Sequence, residues 1–596
     1  MKTLIIALNS KYIHSALAPW YLKASCGREC GEVRVLEFTI NDDPGILLSS
    51  IYREKPDVAA FSCYIWNIRH VLGLVSNLKK VLPGLVIVLG GPEVSYDPRE
   101  TLTMNTDIDY ILTGEGETAF PKLTAYLNGR GQASALEDIE GLCFRNSYGT
   151  GLNTPALIHE PDSIPSPYTC DMLEALGSRI VYYESSRGCP FSCTYCLSST
   201  FEGVRYFSME RVKRELTMLF EKGVRQVKFV DRTFNCNKAR AMEIFRHIIG
   251  LYHSKPTDDG GGKPEINFHF EAAADLFDGE TLELLAQAPP GLIQLEIGVQ
   301  TVNEEALEAI DRRTDIDRLC DNVRRLRSAG NINLHLDLIA GLPFEDIASF
   351  RTSFDTVYGL APHQLQLGFL KLLKGTRIRS QADLYSYGFT NYPPYEILFS
   401  KYMSFDELIE LKGMEELLDR YYNSGRFSNT LTFLLQFINS AFDFYLGFYR
   451  FNLSKGLTHL PAVLKELYTV LYEYAADVCG SRIDAVMEFM RLDFLSSESS
   501  GSLPPKLARP VKEAFRDSCF DFLKKDENIS RYLPGFFGLP AKTIYKKVHF
   551  EPFNLDFSSS TISFDPARQT VLLFNYSEKD RVSGLYSYSE PDEFLP

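Results

Sequence analysis

The sequence predicts an α/β chain in three parts: an open doubly wound sheet, a partial (β/α)6 barrel, and a mainly helical domain that ends in a small sheet. Three observations predict it. Residues 1–130 alternate short, near-continuously apolar runs with segments of helical spacing, as parallel strands covered on both faces require. From 179 to 370 a strand, loop and helix rhythm repeats six times. From 371 to 596 apolar residues recur at helical spacing, until short alternating runs close the chain.

The 596 residues, 45% hydrophobic, suffice for several cores and about three or four domains. The 12 cysteines are scattered except for three, at 189, 193 and 196. Met1 runs straight into a strand with no leader pattern, so a reduced, cytoplasmic protein is expected. No apolar stretch approaches about 18 residues, and no membrane span is expected. The formal net charge is -15, from 77 acidic and 62 basic residues, which argues against a long polynucleotide partner. The basic run 371–379 reads as a solvated loop.

In the first domain, strands are expected at 3–8, 33–38, 58–62, 86–89 and 110–113, with helices at 14–26, 68–81 and 117–127. Ligands of such sheets lie beyond the carboxyl ends of the strands. Three of those ends are distinctive: Ser62 within FSCYIW, Gly90, Gly91 and Glu93 within GGPE, and Gly114, Glu115 and Gly116 within GEGE. Glycines there let backbone approach a ligand closely. No GxGxxG fingerprint or Walker loop is present, which argues against those nucleotide sites. Residues 131–178 form a connector, with a hairpin strand at 141–147 and Pro161, Pro165 and Pro167 in an extended crossing along the barrel edge.

Barrel strands are expected at 180–183, 226–230, 267–270, 292–298, 333–339 and 364–369. Helices should fill 208–222, 237–253, 279–288, 303–309, 317–328 and 347–358, and 254–264 reads as a surface loop. The loop after the first strand reads SRGCPFSCTYC, with cysteines spaced four and then three apart. Three thiolates are one short of a closed zinc site or a fully ligated cubane, so one metal corner stays open. Structural thiols, or zinc completed by a remote ligand, are the alternatives. Phe191 and Tyr195 would set rings beside a cluster.

Polar residues at the other strand ends are the remaining candidates: Asp231 after the second strand, Glu271 after the third, Glu296 and Gln300 on the fourth, and the segment from Asp337 to Gly341 on the fifth. Burying an unpaired polar group costs about 2 kcal/mol or more, so Glu296 and Gln300 are not idle core residues. Arg312 and Arg313 follow a helix and read as surface arginines. In the last third, helices are expected at 405–420, 431–446, 462–479 and 483–495, and strands at 546–550, 561–564 and 571–574. Tyr421, Tyr422 and Phe427 read as core.

The cysteine loop, with an aromatic before its third cysteine, resembles the cluster motif of the radical S-adenosylmethionine (SAM) superfamily. The first domain, through its GGPE and GEGE loops, resembles the cobalamin (B12)-binding domain of one large subfamily, and residues 371–596 resemble the uncharacterised C-terminal domain of one branch. The resemblance implies a [4Fe-4S] cluster on Cys189, Cys193 and Cys196, with SAM at the barrel mouth. Tyr195, Asp231, Glu271, Glu296, Gln300 and Gly341 would then line SAM, with Glu271 on the ribose and Asp231 near the methionine end. Ser62, Gly90, Gly91, Glu93, Gly114, Glu115 and Gly116 would line cobalamin. The DxHxxG segment that supplies a cobalt-ligating histidine elsewhere is missing, which implies base-off cobalamin with no histidine below. His14 is the alternative ligand, or else a helix-end or surface histidine.

The activity implied is methylation of an unactivated carbon by way of methylcobalamin and a 5'-deoxyadenosyl radical. Alternatives are a cobalamin-dependent rearrangement or redox enzyme without net methyl transfer, and a non-catalytic cobalamin-binding protein. The partners implied are an unidentified small-molecule or peptide substrate and a low-potential electron donor such as flavodoxin or ferredoxin.

Overall fold

The computed structural model describes all residues except 130–134, 156, 201, 202, 256–264, 458, 462, 500–502, 511, 560, 592, 593, 595 and 596. Most of the 254–264 loop therefore lies outside the described residues.

The first sheet runs Glu32–Thr39, Lys2–Asn9, Val58–Ser62, Val86–Gly90, Tyr110–Leu112, Leu142–Asn146, Gly149–Leu152. Its first five strands are parallel, and two apolar layers cover its faces. Helices Leu17–Ser25, Ile68–Val81 and Gly116–Leu127 match the expected periodicity. Helix Pro44–Glu54 was not expected, although its signal is local: Asp43 accepts from the amides of Gly45 and Ile46, and Pro44 opens the first turn. The hairpin of the connector corrects another expectation. It extends the first sheet antiparallel to Tyr110–Leu112 instead of running along the barrel edge.

The barrel is a six-stranded parallel sheet in order Gln364–Phe369, Asn333–Ala340, Ile293–Gln300, Asn267–Ala272, Gln226–Phe229, Val181–Tyr183. Burial alternates along Ile293–Gln300: Ile293, Leu295, Ile297 and Val299 are buried, while Gln294, Glu296, Gly298 and Gln300 are half-buried. Apolar side chains thus pack under the helices, and a polar set that includes Lys228, Glu296 and Asp337 gathers on the other face. The end of the chain covers the amino ends of the strands. The Asn333 side chain donates to the Val582 carbonyl at 3.4 Å, and Arg581 donates to the Tyr252 hydroxyl at 3.0 Å.

One continuous core joins the barrel to the helices that follow, with the Phe354 and Phe442 rings 5.8 Å apart. Tyr421 and Phe427 are fully buried, whereas Tyr422 is half-buried and donates to the Pro362 carbonyl at 2.6 Å. The single helix expected at 431–446 is two, Ser428–Leu434 and Ala441–Ser454, with a 98° bend between their flanking turns. Ser440 causes the restart, since its hydroxyl caps the Asp443 amide. Among the described residues no single helix is long and apolar enough to cross a membrane. The terminal sheet pairs Val548–Phe553, Thr570–Lys579 and Tyr586–Ser589, while Ser563–Phe564 pairs separately with Leu555–Asp556.

Residues 371–396 strap the three parts together. Tyr395 donates to the Glu93 carboxylate, Lys374 lies 3.5 Å from Asp97, and the Ile378 amide donates to the Thr194 carbonyl inside the cysteine loop.

Candidate active site

The cysteine loop leaves the first barrel strand through the short strand Ser186–Gly188, which pairs with Val204–Tyr206. A Cβ at Gly188 would collide with the Gly203 carbonyl, and its φ of +96° is in the left-handed region, so glycine is required. Backbone anchors set the loop: the Thr194 amide donates to Ile310 at 2.9 Å, and the Ser199 hydroxyl donates to the carbonyls of Cys193 and Cys196. Cys189, Cys193 and Cys196 are all free thiols. The Thr233 hydroxyl lies 3.6 Å from the Cys189 sulfur, and Arg312 reaches the Cys193 sulfur. Burial pushes the Cys193 thiol up, and the Arg312 guanidinium opposes that shift by favouring thiolate. Burial also raises the Tyr195 hydroxyl, whose ring packs against the barrel core beside the same arginine. Three unlinked sulfurs with a cation beside them fit a thiolate-bound cluster.

Asp231 does not face the cleft. It is 2% exposed, and its carboxylate accepts from the Ser185 amide (2.9 Å), the Ser185 hydroxyl (2.7 Å) and the Ser186 hydroxyl (2.5 Å). Asp231, expected to contact SAM, is placed here as an anchor of the entry to the cysteine loop.

Beside the loop is a cleft of about 120 Å³, whose walls include Glu271, Glu296, Gln300, Arg312 and Asp337. The fourth strand bulges between Gly298 and Gln300, and Gln300 has φ +72°. A Cβ on Gly298 would collide with the Gln300 amide, so this glycine lets the glutamine fold back over the strand. A non-glycine residue held there stores about 1–3 kcal/mol of strain. Among the described residues, Gln300 Oε1 and Arg312 Nε are buried without hydrogen-bond partners, which fits a polar ligand that supplies them.

Burial pushes the Glu271 carboxyl up to about 7, against the opposing pull of Arg232. Glu296 behaves oppositely. Burial alone would raise it, but His269 and Lys228, each 2.9 Å away, hold it well below the usual carboxylate range. His335 lies 3.1 Å from Asp337; burial pulls its pKa down, but the carboxylate prevails and leaves it raised. Glu296, His335 and Asp337 offer atoms within 4.8 Å of one another, yet the Lys228 ammonium already neutralises this group. A charge network is therefore a better description than a metal site.

Arg312 was expected at the surface and is instead half-buried in the cleft wall, donating to the Gly298 carbonyl. No local pattern marked it, because its partners lie on other elements. Gly341, expected to line SAM, packs against the strap. Its φ is +86°, a Cβ there would collide with Ile397, and its carbonyl accepts from Tyr387 at 2.9 Å, so its open side is filled by the strap.

At the first sheet, Ser62 pairs in register with Gly90, and its hydroxyl is buried without a partner. With Gly114 at φ +77° on the neighbouring end, this orphan hydroxyl fits a ligand laid along the strand ends. The other glycines answer to crowding. A Cβ on Gly91 would stand 2.6 Å from the Cys63 carbonyl oxygen, and one on Gly116 would stand 2.9 Å from Leu22. Glu93 is turned into the protein against Tyr395 and Lys374, and burial pushes its carboxyl up. Glu115 accepts from Arg205 at 2.7 and 2.8 Å and from the Ile158 amide at 2.7 Å. Both carboxylates were expected at a ligand; the structure spends them on contacts between domains. His14 is neither a helix-end nor a free surface group: its Nδ1 lies 2.8 Å from the Tyr182 hydroxyl on the first barrel strand, and burial lowers its pKa.

Three family models match in order: a B12 binding domain over residues 3–124, the radical SAM superfamily over 183–357, and a protein family of unknown function, DUF4080, over 383–574. The chain is similar to the 2-(S-pantetheinyl)-carbapenam-3-carboxylate methyltransferase of Streptantibioticus cattleyicolor, 26% identical over 57% of this chain and 50% of that protein. It is also similar to the uncharacterized methyltransferase PH0819 of Pyrococcus horikoshii, 26% identical over 65% and 82% of the two chains. The first of these matches spans about half the relative's length. Among solved structures, the methyltransferase TsrM from Kitasatospora setae aligns with a TM-score of 0.52 at 19% identity, over 66% of this chain and 80% of that one. The cobalamin-dependent SAM radical enzyme OxsB aligns with a TM-score of 0.56 at 14% identity, over 83% and 78%. At these identities the structural likeness speaks for the fold alone.

Proposed function

Because the chain belongs to the radical SAM proteins that carry a B12-binding domain ahead of the barrel, we propose that it is a cobalamin-dependent radical SAM enzyme that methylates a carbon without nucleophilic character. The observation that carries this reading is the convergence, at one barrel mouth, of three free thiols with unpartnered buried atoms of Gln300 and Arg312. Cys189, Cys193 and Cys196 would hold the cluster, the polar cleft would hold SAM, and Ser62, Gly90 and Gly114 would border cobalamin.

When bound, the cluster supplies a low-potential electron that cleaves SAM, and cobalamin supplies a cobalt able to carry a methyl group. The residues of the chain position and shield. Phe191 and Tyr195 exclude water beside the thiols. Glu271, once ionised, is an acceptor for ribose hydroxyls, and Gln300 offers a second acceptor already oriented by the bulge. His335 can keep a proton at Nε2, steadied by Asp337. A low-potential donor such as flavodoxin or ferredoxin and a reducing compartment such as the cytoplasm belong to the same reading.

The test is anaerobic purification with iron, sulfide and hydroxocobalamin. A four-iron cluster and about one cobalt per chain are expected. Alanine at all three cysteines should remove the cluster absorption and SAM cleavage together, and His14→Ala should leave the electron resonance of reduced cobalt unchanged. About four irons retained in the triple variant would remove the cluster assignment, and protein that takes up no cobalt would remove methyl transfer.

A further inference from the structure

Residues 231–235 leave the second barrel strand at the cleft mouth, and four of their five side chains are spent on the fold. Asp231 is bound by Ser185 and Ser186, the Thr233 hydroxyl lies against the Cys189 sulfur, and the Phe234 ring packs on Phe229 and Phe270. The Asn235 side chain accepts from the Ala273 amide at 2.9 Å and donates to the Ala273 carbonyl at 2.8 Å. Arg232 is the exception. It lines the cleft, it is exposed, and among the described residues it makes no hydrogen bond and no ion pair. Its backbone is held on both sides while its guanidinium is left free for a ligand.

Two neighbours place that guanidinium. Glu271, at the end of the third strand, feels it across the cleft but forms no ion pair with it. Burial pushes the Tyr64 hydroxyl of the first domain up, and Arg232 opposes that shift from the barrel side of the boundary. Arg232 therefore stands where the cleft opens toward the first domain. SAM brings a single carboxylate, whereas the cleft presents three guanidiniums: Arg232 after the second strand, and Arg312 and Arg313 beyond the fourth. The pair beyond the fourth strand suffices for one carboxylate. Arg232, with the third strand between, is left for another anion.

We propose that Arg232 binds an anionic group of the substrate, a carboxylate or a phosphate, and so holds the reacting carbon between the barrel cleft and the first domain. The assignment rests on the proposed methyl transfer, in which that carbon has to meet the adenosyl radical on the barrel side and the methyl donor on the other. A planar guanidinium without an internal partner takes either oxyanion through two parallel hydrogen bonds. Arg232 is thus a specificity and positioning residue, set apart from the reacting atoms.

The test is phenylglyoxal labelling of the full chain, loaded with its cluster, hydroxocobalamin and S-adenosylhomocysteine, with each arginine adduct counted by mass spectrometry. Arg232 should label, and inorganic phosphate or acetate should slow its labelling by about tenfold or more against chloride of equal ionic strength. Exposed Arg28, on the first domain, should label alike in all three salts. The better protectant identifies the acidic group, and Arg232→Gln should lose the calorimetric signal of that anion while keeping iron and SAM affinity. Protection by S-adenosylhomocysteine alone would give Arg232 to the carboxylate of SAM, and protection by hydroxocobalamin alone would give it to the corrinoid. Either result overturns the assignment, as does equal labelling in all salts. Anion protection in protein that takes up no cobalt would leave this site standing and remove the proposed chemistry. Cobalt uptake and SAM cleavage without anion protection would do the reverse.

Discussion

The Arg312 guanidinium stands 4.0 Å from the Cys193 sulfur, although 119 residues separate them. A cation beside a thiolate favours the more negative, reduced state of whatever metal centre the thiolate holds. Arg312→Met should retain iron, since all three thiols remain, but shift the cluster potential downward and slow reductive SAM cleavage by about tenfold or more. Potentiometric titration followed by electron resonance, with 5'-deoxyadenosine counted in parallel, checks this. An unchanged potential would make Arg312 a packing residue.

Glu271 gives a pH dependence with a definite sign. Burial raises its carboxyl to about 7, so the free protein carries it neutral below that pH and ionised above. Only the ionised form accepts from both ribose hydroxyls and favours a sulfonium ligand. SAM affinity should therefore rise from pH 6 to pH 8, by up to about tenfold per unit, and Glu271→Gln should flatten the profile. Gln300→Ala should weaken SAM binding by about 1–3 kcal/mol at every pH while iron content stays constant. Calorimetric titration of SAM across this range decides between the two behaviours.

Asp231 predicts the opposite pattern. Its carboxylate accepts three hydrogen bonds from Ser185 and Ser186, all buried. Asp231→Ala should cost on the order of 3 kcal/mol in stability and lower iron retention, because the entry to the cysteine loop loses its anchor. The fraction that still holds iron should bind SAM with native affinity. Weakened SAM binding at full iron content would restore the cofactor-contact role.

Glu115 and Arg205 make a two-bond clamp between the first domain and the barrel hairpin, and the same carboxylate takes the Ile158 amide. Glu115→Gln keeps the shape but removes the charge, and should cost about 1–2 kcal/mol. Hydrogen exchange should quicken at the Ile158 amide and leave the barrel strands unaffected. Uniform protection in the variant would show that the clamp contributes little to docking.

Local pattern determined much of this protein. Strands Val58–Ser62 and Gln364–Phe369 and helix Ile68–Val81 fall at the residues that their periodicity predicts, because burial of one face or two is written in adjacent positions. The cysteine loop was legible for the same reason: its spacing is contained within eight residues of chain, from Cys189 to Cys196. Only the tertiary structure decided which polar groups face the cleft. Asp231, Glu93 and Glu115 stand at strand ends as candidate ligands do, yet their carboxylates meet Ser185, Tyr395 and Arg205, while Arg312 turns inward to the thiols. The bend before Ser440 and the hairpin added to the first sheet were settled in the same way, by caps and edges that periodicity does not record. Burial obliges a polar group to find a partner, but the path of the whole chain determines which partner is within reach.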